Sequence, residues 1–180
     1  KLVVLGGGES GVGAAVLGQA KGYDVFLSDR NKLKEKYRKL LNQYAVPFEE
    51  AKHNEAQILN AQLIVKSPGI PDHVDLLQKC KAKGIEVISE IEFAYRYCDA
   101  KIIAITGSNG KTTVTKMVYH ILKSAGLSVA MAGNVGESFA MHLATKKADN
   151  YVLEISSFQL DGCKTFKPHI SILTSITPDH

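Results

Sequence analysis

The chain has 180 residues, 45% of them hydrophobic, with a net charge of +4 and no biased tract. That is enough for one large or two small globular domains. No apolar run approaches the ~20 residues a bilayer-crossing helix needs, and no signal-peptide pattern precedes the first strand, so membrane insertion and export are not expected. Cys80, Cys98 and Cys163 are odd in number and form no C-x-x-C pair. Reduced thiols in a cytoplasmic protein are therefore expected, not a disulfide framework or a cysteine metal site.

The first element is a short apolar strand, Leu2-Val3-Val4-Leu5. It runs into Gly6-Gly7-Gly8-Glu9-Ser10-Gly11 and then a helix with Val12, Ala15 and Val16 inward. Gly22 ends that helix, and Asp24–Ser28 reads as a second strand. This is a βαβ unit whose first turn carries Gly6-x-Gly8-x-x-Gly11. Asp29 follows the second strand 18 residues after Gly11, near where a dinucleotide fold places its ribose-binding acid. Phosphate or nucleotide binding at this loop is weighed against a tight structural turn.

Lys32, Lys34, Lys36, Arg38 and Lys39 crowd the next segment. Leu33, Tyr37, Leu40, Leu41 and Tyr44 give the same segment an apolar helical face. The lysines are thus the solvated side of a helix, and no nucleic-acid partner is expected. Ala61–Val65 reads as a third strand ending in Lys66-Ser67-Pro68-Gly69-Ile70-Pro71. Two prolines around a glycine make a stiff loop at the strand edge where open α/β sheets bind ligands, and a rigid turn explains it equally well. A helix over Leu76–Lys83, a fourth strand over Ile85–Ile88 and a helix over Glu90–Cys98 complete the first unit. The boundary is expected between about Ser89 and Asp99, with residues 1–90 as the first domain and 91–180 as part of a second.

Ile102-Ile103-Ala104-Ile105 opens the second unit as a buried strand. Gly107-Ser108-Asn109-Gly110-Lys111-Thr112-Thr113 follows. Then comes a helix with Val114, Met117, Val118, Ile121 and Leu122 on one face, ended by Gly126. A glycine loop at a helix N-terminus offers free N–H groups and the positive dipole end to an anion. Lys111 adds a charge and Thr112 a hydroxyl for a metal ion. The usual phosphate loop has a glycine at the position of Ile105, so the match is to a shortened form. Leu127–Met131 is the next strand, leading to Gly133-Asn134-Val135-Gly136 and a helix over Glu137–Lys146. In Tyr151-Val152-Leu153-Glu154-Ile155 the carboxylate sits near the end of a buried strand. That is costly unless it is paired or bound to a metal, and Glu154 is expected to help hold Mg²⁺. The alternative is an exposed glutamate on an edge strand. Ser156-Ser157-Phe158-Gln159-Leu160 follows, then a strand over Ile170–Ile176 and Thr177-Pro178-Asp179-His180. A strand so close to each terminus is expected of a fragment of a longer protein.

These motifs resemble those of the Mur ligases of bacterial cell-wall synthesis, across essentially the whole chain. The shortened phosphate loop Thr106–Thr113, the Gly133–Gly136 loop, Leu153–Leu160 and Thr177–His180 are similar to the family's four central motifs. Phe158-Gln159-Leu160 points to the branch that adds D-glutamate. The resemblance implies an α/β fold: a Rossmann-like parallel-sheet domain, then the first part of a P-loop ATPase-type central domain. It implies ATP-dependent amide-bond formation with Mg²⁺ between UDP-N-acetylmuramoyl-L-alanine and D-glutamate, by a cytoplasmic monomer. Gly107, Ser108, Asn109, Gly110, Lys111, Thr112 and Thr113 would hold ATP. Thr112, Glu154 and His180 would serve metal, and Lys111, Glu154 and His180 catalysis. Gly8, Glu9, Ser10, Gly11, Asp29, Arg30, Ser67, Pro68, Gly69, Asn134, Ser157 and Gln159 would hold the UDP substrate. Glu9 is unwelcome beside a diphosphate and is expected to turn its side chain away. The family's bridging lysine and its C-terminal domain are expected beyond residue 180. Two other readings compete: an NAD(P)-binding oxidoreductase or nucleotide-sensing domain, based on the first loop, and a P-loop switch protein, based on the second.

Overall fold

The computed structural model describes residues 1–177. In chain order the elements are β1 (Leu2–Leu5), α1 (Glu9–Ala20), β2 (Val25–Ser28), α2 (Glu35–Gln43), β3 (Phe48–Glu49), α3 (Glu55–Ile58), β4 (Leu63–Lys66), α4 (Asp75–Ala82), β5 (Glu86–Ser89) and α5 (Glu90–Tyr95). They continue with β6 (Lys101–Thr106), α6 (Lys111–Ser124), β7 (Val129–Gly133), α7 (Phe139–Thr145), β8 (Asn150–Glu154), α8 (Ser157–Leu160) and β9 (Ile170–Leu173). They form two parallel sheets, ordered β3-β2-β1-β4-β5 and β7-β8-β6-β9. Strands that alternate with helices leave little choice but a parallel sheet covered on both faces. The fold is therefore two α/β layers of the expected class.

Side-chain alternation sorts each sheet's faces. Leu2 and Val4 point toward α1, while Val3 and Leu5 join Ile58, Leu76 and Leu77 of α3 and α4. In the second sheet Ile102, Ala104, Tyr151 and Leu153 face α7, whereas Ile105, Val129 and Val152 face α6. One continuous core runs from Leu2 and Val4 through α1, α5 and α7 to Tyr151 and Leu153, so the two sheets share it. Leu17, Phe93, Phe139 and Tyr151 lie fully buried in it, each worth roughly 1.5–3 kcal/mol.

The structure corrects several sequence expectations. The centre of α1, from Gly11 to Gly18, is buried on every side, because α7 and α5 cover the face that sequence alone assigns to solvent. Close approach requires glycine at position 13: a Cβ there would lie 2.0 Å from Ser138 Oγ on the α7 cap. The second unit's helix α6 rests on its sheet through Val114, Val118 and Leu122. Its contact stripe turns toward the buried Thr115, leaving Met117 and Ile121 exposed by more than half (56% and 58%). The two-residue β3 and the one-turn α3 were not foreseen. The last strand stops at Leu173, and the residues after it wrap the phosphate loop.

Candidate active site at the strand carboxyl edges

Every strand is parallel, so each sheet gathers its outgoing loops at one edge. At the first sheet these are the turns after β1, β2 and β4. They line a cavity of about 700 Å³ together with residues 53 and 74. Of the expected residues, Gly8, Glu9, Ser10, Asp29, Arg30, Ser67, Pro68 and Gly69 all line it. Gly11 lies beneath: a Cβ there would meet the Gly6 carbonyl oxygen at 1.8 Å. Only glycine lets α1 start this close to the β1 turn. Ser67 Oγ donates to Gly6 O at 3.3 Å, tying the two loops together. Gly8 is the N-cap of α1 and no side chain caps the helix, which leaves its first amides for a ligand.

Two of these residues make further contacts. Glu9 lines the cavity as well as a neighbouring hollow of about 160 Å³ that it shares with Glu137. Asp29 spends both oxygens on the backbone, accepting from Gly7 N at 2.5 Å and Asn31 N at 2.7 Å. It shapes the rim through these bonds.

The second sheet's edge carries the phosphate loop. Gly107, Ser108, Lys111 and Ser157 line a cavity of about 430 Å³ with Thr106, Phe158 and Ser175. Lys111 Nζ donates to Gly107 O at 2.6 Å and Ser108 O at 2.8 Å, so the ammonium is folded over its own loop. Asn109 N donates to Ser175 Oγ at 2.9 Å and Ser108 N to Ser175 O at 2.9 Å. The residues after β9 thus brace the loop and take up two of its amides, a role sequence reasoning missed. Gly110 is the N-cap of α6, with no side-chain cap and no acid in the first turn. Asn109, Gly110, Thr112 and Thr113 form this loop and first turn without lining the cavity.

Glu154 ends the inner strand β8, where it pairs in register with Ile105 and Gly133. It is buried, which excludes the exposed edge-strand alternative. Oε1 accepts from Asn134 Nδ2 at 2.8 Å, while Oε2 is buried without a partner among the described residues. An orphaned carboxylate oxygen in the interior costs on the order of 1–3 kcal/mol, which a cation would offset. Hard oxygen donors suit Mg²⁺, which takes one or two carboxylates and completes its shell with phosphates and water. Among the described residues no group of three or more His, Cys, Asp or Glu could hold a metal. Glu154 is therefore a lone carboxylate that fits such an ion only alongside a triphosphate. His180, also expected here, lies outside the described residues, as do Pro178 and Asp179.

Gln159 is brought to a local task. It is buried, and its Oε1 accepts from Ser156 N at 2.9 Å in a capping box that starts α8. Its N-cap partner Ser156 lines the 430 Å³ cavity, which Gln159 does not.

The comparisons agree with this layout. The Mur ligase MurD-like N-terminal domain matches residues 1–89, and the Mur ligase middle domain matches residues 105–180. A relative from Christiangramia forsetii named UDP-N-acetylmuramoylalanine--D-glutamate ligase is 54% identical over 100% of this chain, and one of the same name from Bacteroides fragilis is 55% identical. The chain spans about 40% of the length of each. Among solved structures, a UDP-N-acetylmuramate-alanine ligase MurC from Thermotoga maritima matches all of this chain and 42% of its own, with TM-score 0.64 and 22% identity. A murein peptide ligase from Psychrobacter arcticus covers 99% of this chain and 43% of its own, with TM-score 0.61. These two share the fold. With both halves matched by its domain models, and with relatives identical at more than half of the positions, the chain belongs to the Mur ligase family.

Proposed function

We propose that this chain is the N-terminal part of an ATP-dependent ligase that joins D-glutamate to UDP-N-acetylmuramoyl-L-alanine in the cytoplasm. In this reading residues 1–90 hold the UDP portion in the 700 Å³ cavity. Residues 91–180 form the first part of the ATP-binding unit. The observation that carries the reading is Glu154: a buried carboxylate, one oxygen unpartnered among the described residues, in register with the residue that leads into the phosphate loop. The names of the relatives supply the amino acid and the acceptor.

The chemistry follows from charge. The L-alanine carboxylate attacks the γ-phosphorus of ATP and ADP leaves. The D-glutamate amine then attacks the acyl phosphate carbonyl, phosphate departs, and the nitrogen loses its proton. A carboxylate and a triphosphate repel, so fixed positive charge must screen them. Lys111 and the amides at the α6 N-terminus supply it once the ammonium leaves Gly107 O and Ser108 O for the phosphates. Mg²⁺, when bound, adds charge neutralisation at the same place. Glu154 Oε2 and the Thr112 hydroxyl are the oxygens that would hold it, and the motif match adds His180 for a second ion. Asn134 faces the reacting group and is oriented by its bond to Glu154.

Lys111→Ala in the full-length protein tests the division of labour. Turnover should fall at least about 100-fold, with UDP-substrate affinity within about 2-fold of the parent. Equal loss of both, with the fold retained, contradicts it. The 180-residue chain alone should release no phosphate above background from ATP, UDP-N-acetylmuramoyl-L-alanine and D-glutamate.

A further inference from the structure

His53 stands at the rim of the 700 Å³ cavity, in the loop between β3 and α3, and no sequence motif marks it. Its Nδ1 lies 2.7 Å from Ser28 Oγ, and Ser28 is completely buried at the carboxyl end of β2. The same hydroxyl donates to Glu49 Oε1 at 2.8 Å, across the β2–β3 register that pairs Ser28 with Glu49. Glu49 Oε1 also accepts from Asn54 N at 2.7 Å.

This chain of bonds settles the histidine tautomer. A serine hydroxyl has one proton. The carboxylate can only accept, so that proton goes to Glu49. Ser28 Oγ must then accept from His53, which places the imidazole proton on Nδ1. In the neutral ring Nε2 is left with a lone pair and no hydrogen, and it takes no partner among the described residues. A cavity wall thus carries one oriented acceptor, braced from a buried serine.

We propose that His53 Nε2 reads the nucleobase held in this cavity, accepting a hydrogen bond from a ring imide N–H. Uracil presents such a donor at N3, between two carbonyls. Cytosine presents a lone pair at N3, which would oppose that of Nε2. His53 is then a specificity-determining residue, and Ser28 and Glu49 are positioning residues that act through it. The proposal rests on the reading of this cavity as the uridine diphosphate site, and it adds the group that selects the base.

Calorimetric titration of this chain with UDP and with CDP at about pH 8 tests it. The unsubstituted chain should prefer UDP by about 10-fold or more, because a pocket that pairs a donor rejects the base lacking it. His53→Phe keeps a ring of similar size and should bring the ratio to within about 2-fold. Ser28→Ala frees the ring to change tautomer and should lower the ratio part of the way, with the thermal midpoint of both variants close to that of the parent. UDP binding with an unchanged UDP:CDP ratio in His53→Phe overturns the proposal and leaves the nucleotide reading standing. No UDP binding by the unsubstituted chain overturns both.

Discussion

Asn134 Nδ2 donates to Glu154 Oε1 at 2.8 Å, and this single bond orients a buried carboxylate whose other oxygen has no partner among the described residues. The two residues come from loop and strand ends that are neighbours only because β7 pairs with β8. The pair sits where the phosphate loop leaves β6. A buried carboxyl oxygen left without a partner among the described residues costs stability.

Glu154→Gln should therefore separate stability from activity. The amide retains an acceptor for Asn134 and removes the uncompensated charge. Thermal unfolding of the variant should occur at or above the parent temperature, with a gain of up to ~1 kcal/mol. Ligase turnover in the full-length protein should drop at least about 100-fold. A variant both less stable and fully active would refute a ligand-holding role for this carboxylate.

Glu92 shows the opposite economy. It is fully buried, yet its Oε2 accepts from the amides of Lys164, Thr165 and Phe166, each at 2.9 Å, and its Oε1 from Thr165 Oγ1 at 2.7 Å. Burial works against its charge, but the Thr165 hydroxyl and the three amides outweigh it and hold the pKa at about 2. A carboxyl with a lowered folded pKa stabilises above its unfolded value near 4.5, and that contribution is lost as pH falls toward 2. Glu92→Gln should cost roughly 2–4 kcal/mol at neutral pH, with the difference from the parent shrinking in denaturant titrations below pH 4. A pH-independent difference would rule out the charge as its source.

Glu90 has the reverse sign. It is buried where α5 meets α1 and α7, and one oxygen accepts from Ala140 N at 2.5 Å while the other is unpartnered among the described residues. Burial raises its pKa from 4.5 to about 7, against the Ala140 amide and with help from the charge of Glu9. The folded state therefore binds this proton more tightly. Its contribution is full below about pH 4.5 and is lost as pH rises through about 7. Glu90→Gln should flatten the stability profile between pH 5 and 8 and stabilise the protein at pH 8, by ~2–3 kcal/mol at most. An unchanged slope would show that Glu90 does not titrate in that window.

Gly13→Ala addresses the seam between the sheets. The added methyl would lie 2.0 Å from Ser138 Oγ and 3.0 Å from Met141 N. Ser138 caps α7 by accepting from Met141 N at 3.2 Å. The substitution should cost about 1–3 kcal/mol by forcing α1 and α7 apart. An equal or higher melting temperature than the parent would show that the seam has slack.

The loops at Gly6–Gly11, Ser67–Gly69 and Gly107–Thr113 were legible in the sequence because their signals are local. Glycine spacing, strand-to-helix switching and the lysine after Gly110 all lie within a dozen residues. Glu154 was legible for a related reason, since a lone acid in an apolar strand is conspicuous wherever it lands. His53 was not: it lies in a loop with no periodicity, and its meaning depends on Ser28 and Glu49 reaching it from two strands. Gln159 reads as a ligand from its motif, yet its side chain closes a capping box at the start of a helical turn. Helix α6 was assigned too wide an apolar face, because the width of a contact stripe is set by the surface a helix meets.

The sequence alone determined two parallel α/β layers with three glycine-bearing loops at strand ends, since strand and helix periods and glycine positions are properties of short segments. It also determined the kinship that these motifs carry. Only the tertiary structure decided that α1, α5 and α7 fuse the layers into one core, and that Ser175 braces the phosphate loop by accepting from two of its amides. It alone showed one Glu154 oxygen paired with Asn134 and the other without a partner among the described residues. Those facts depend on distances between residues far apart in the chain. Burial and hydrogen-bond pairing acquire values only when the chain is folded.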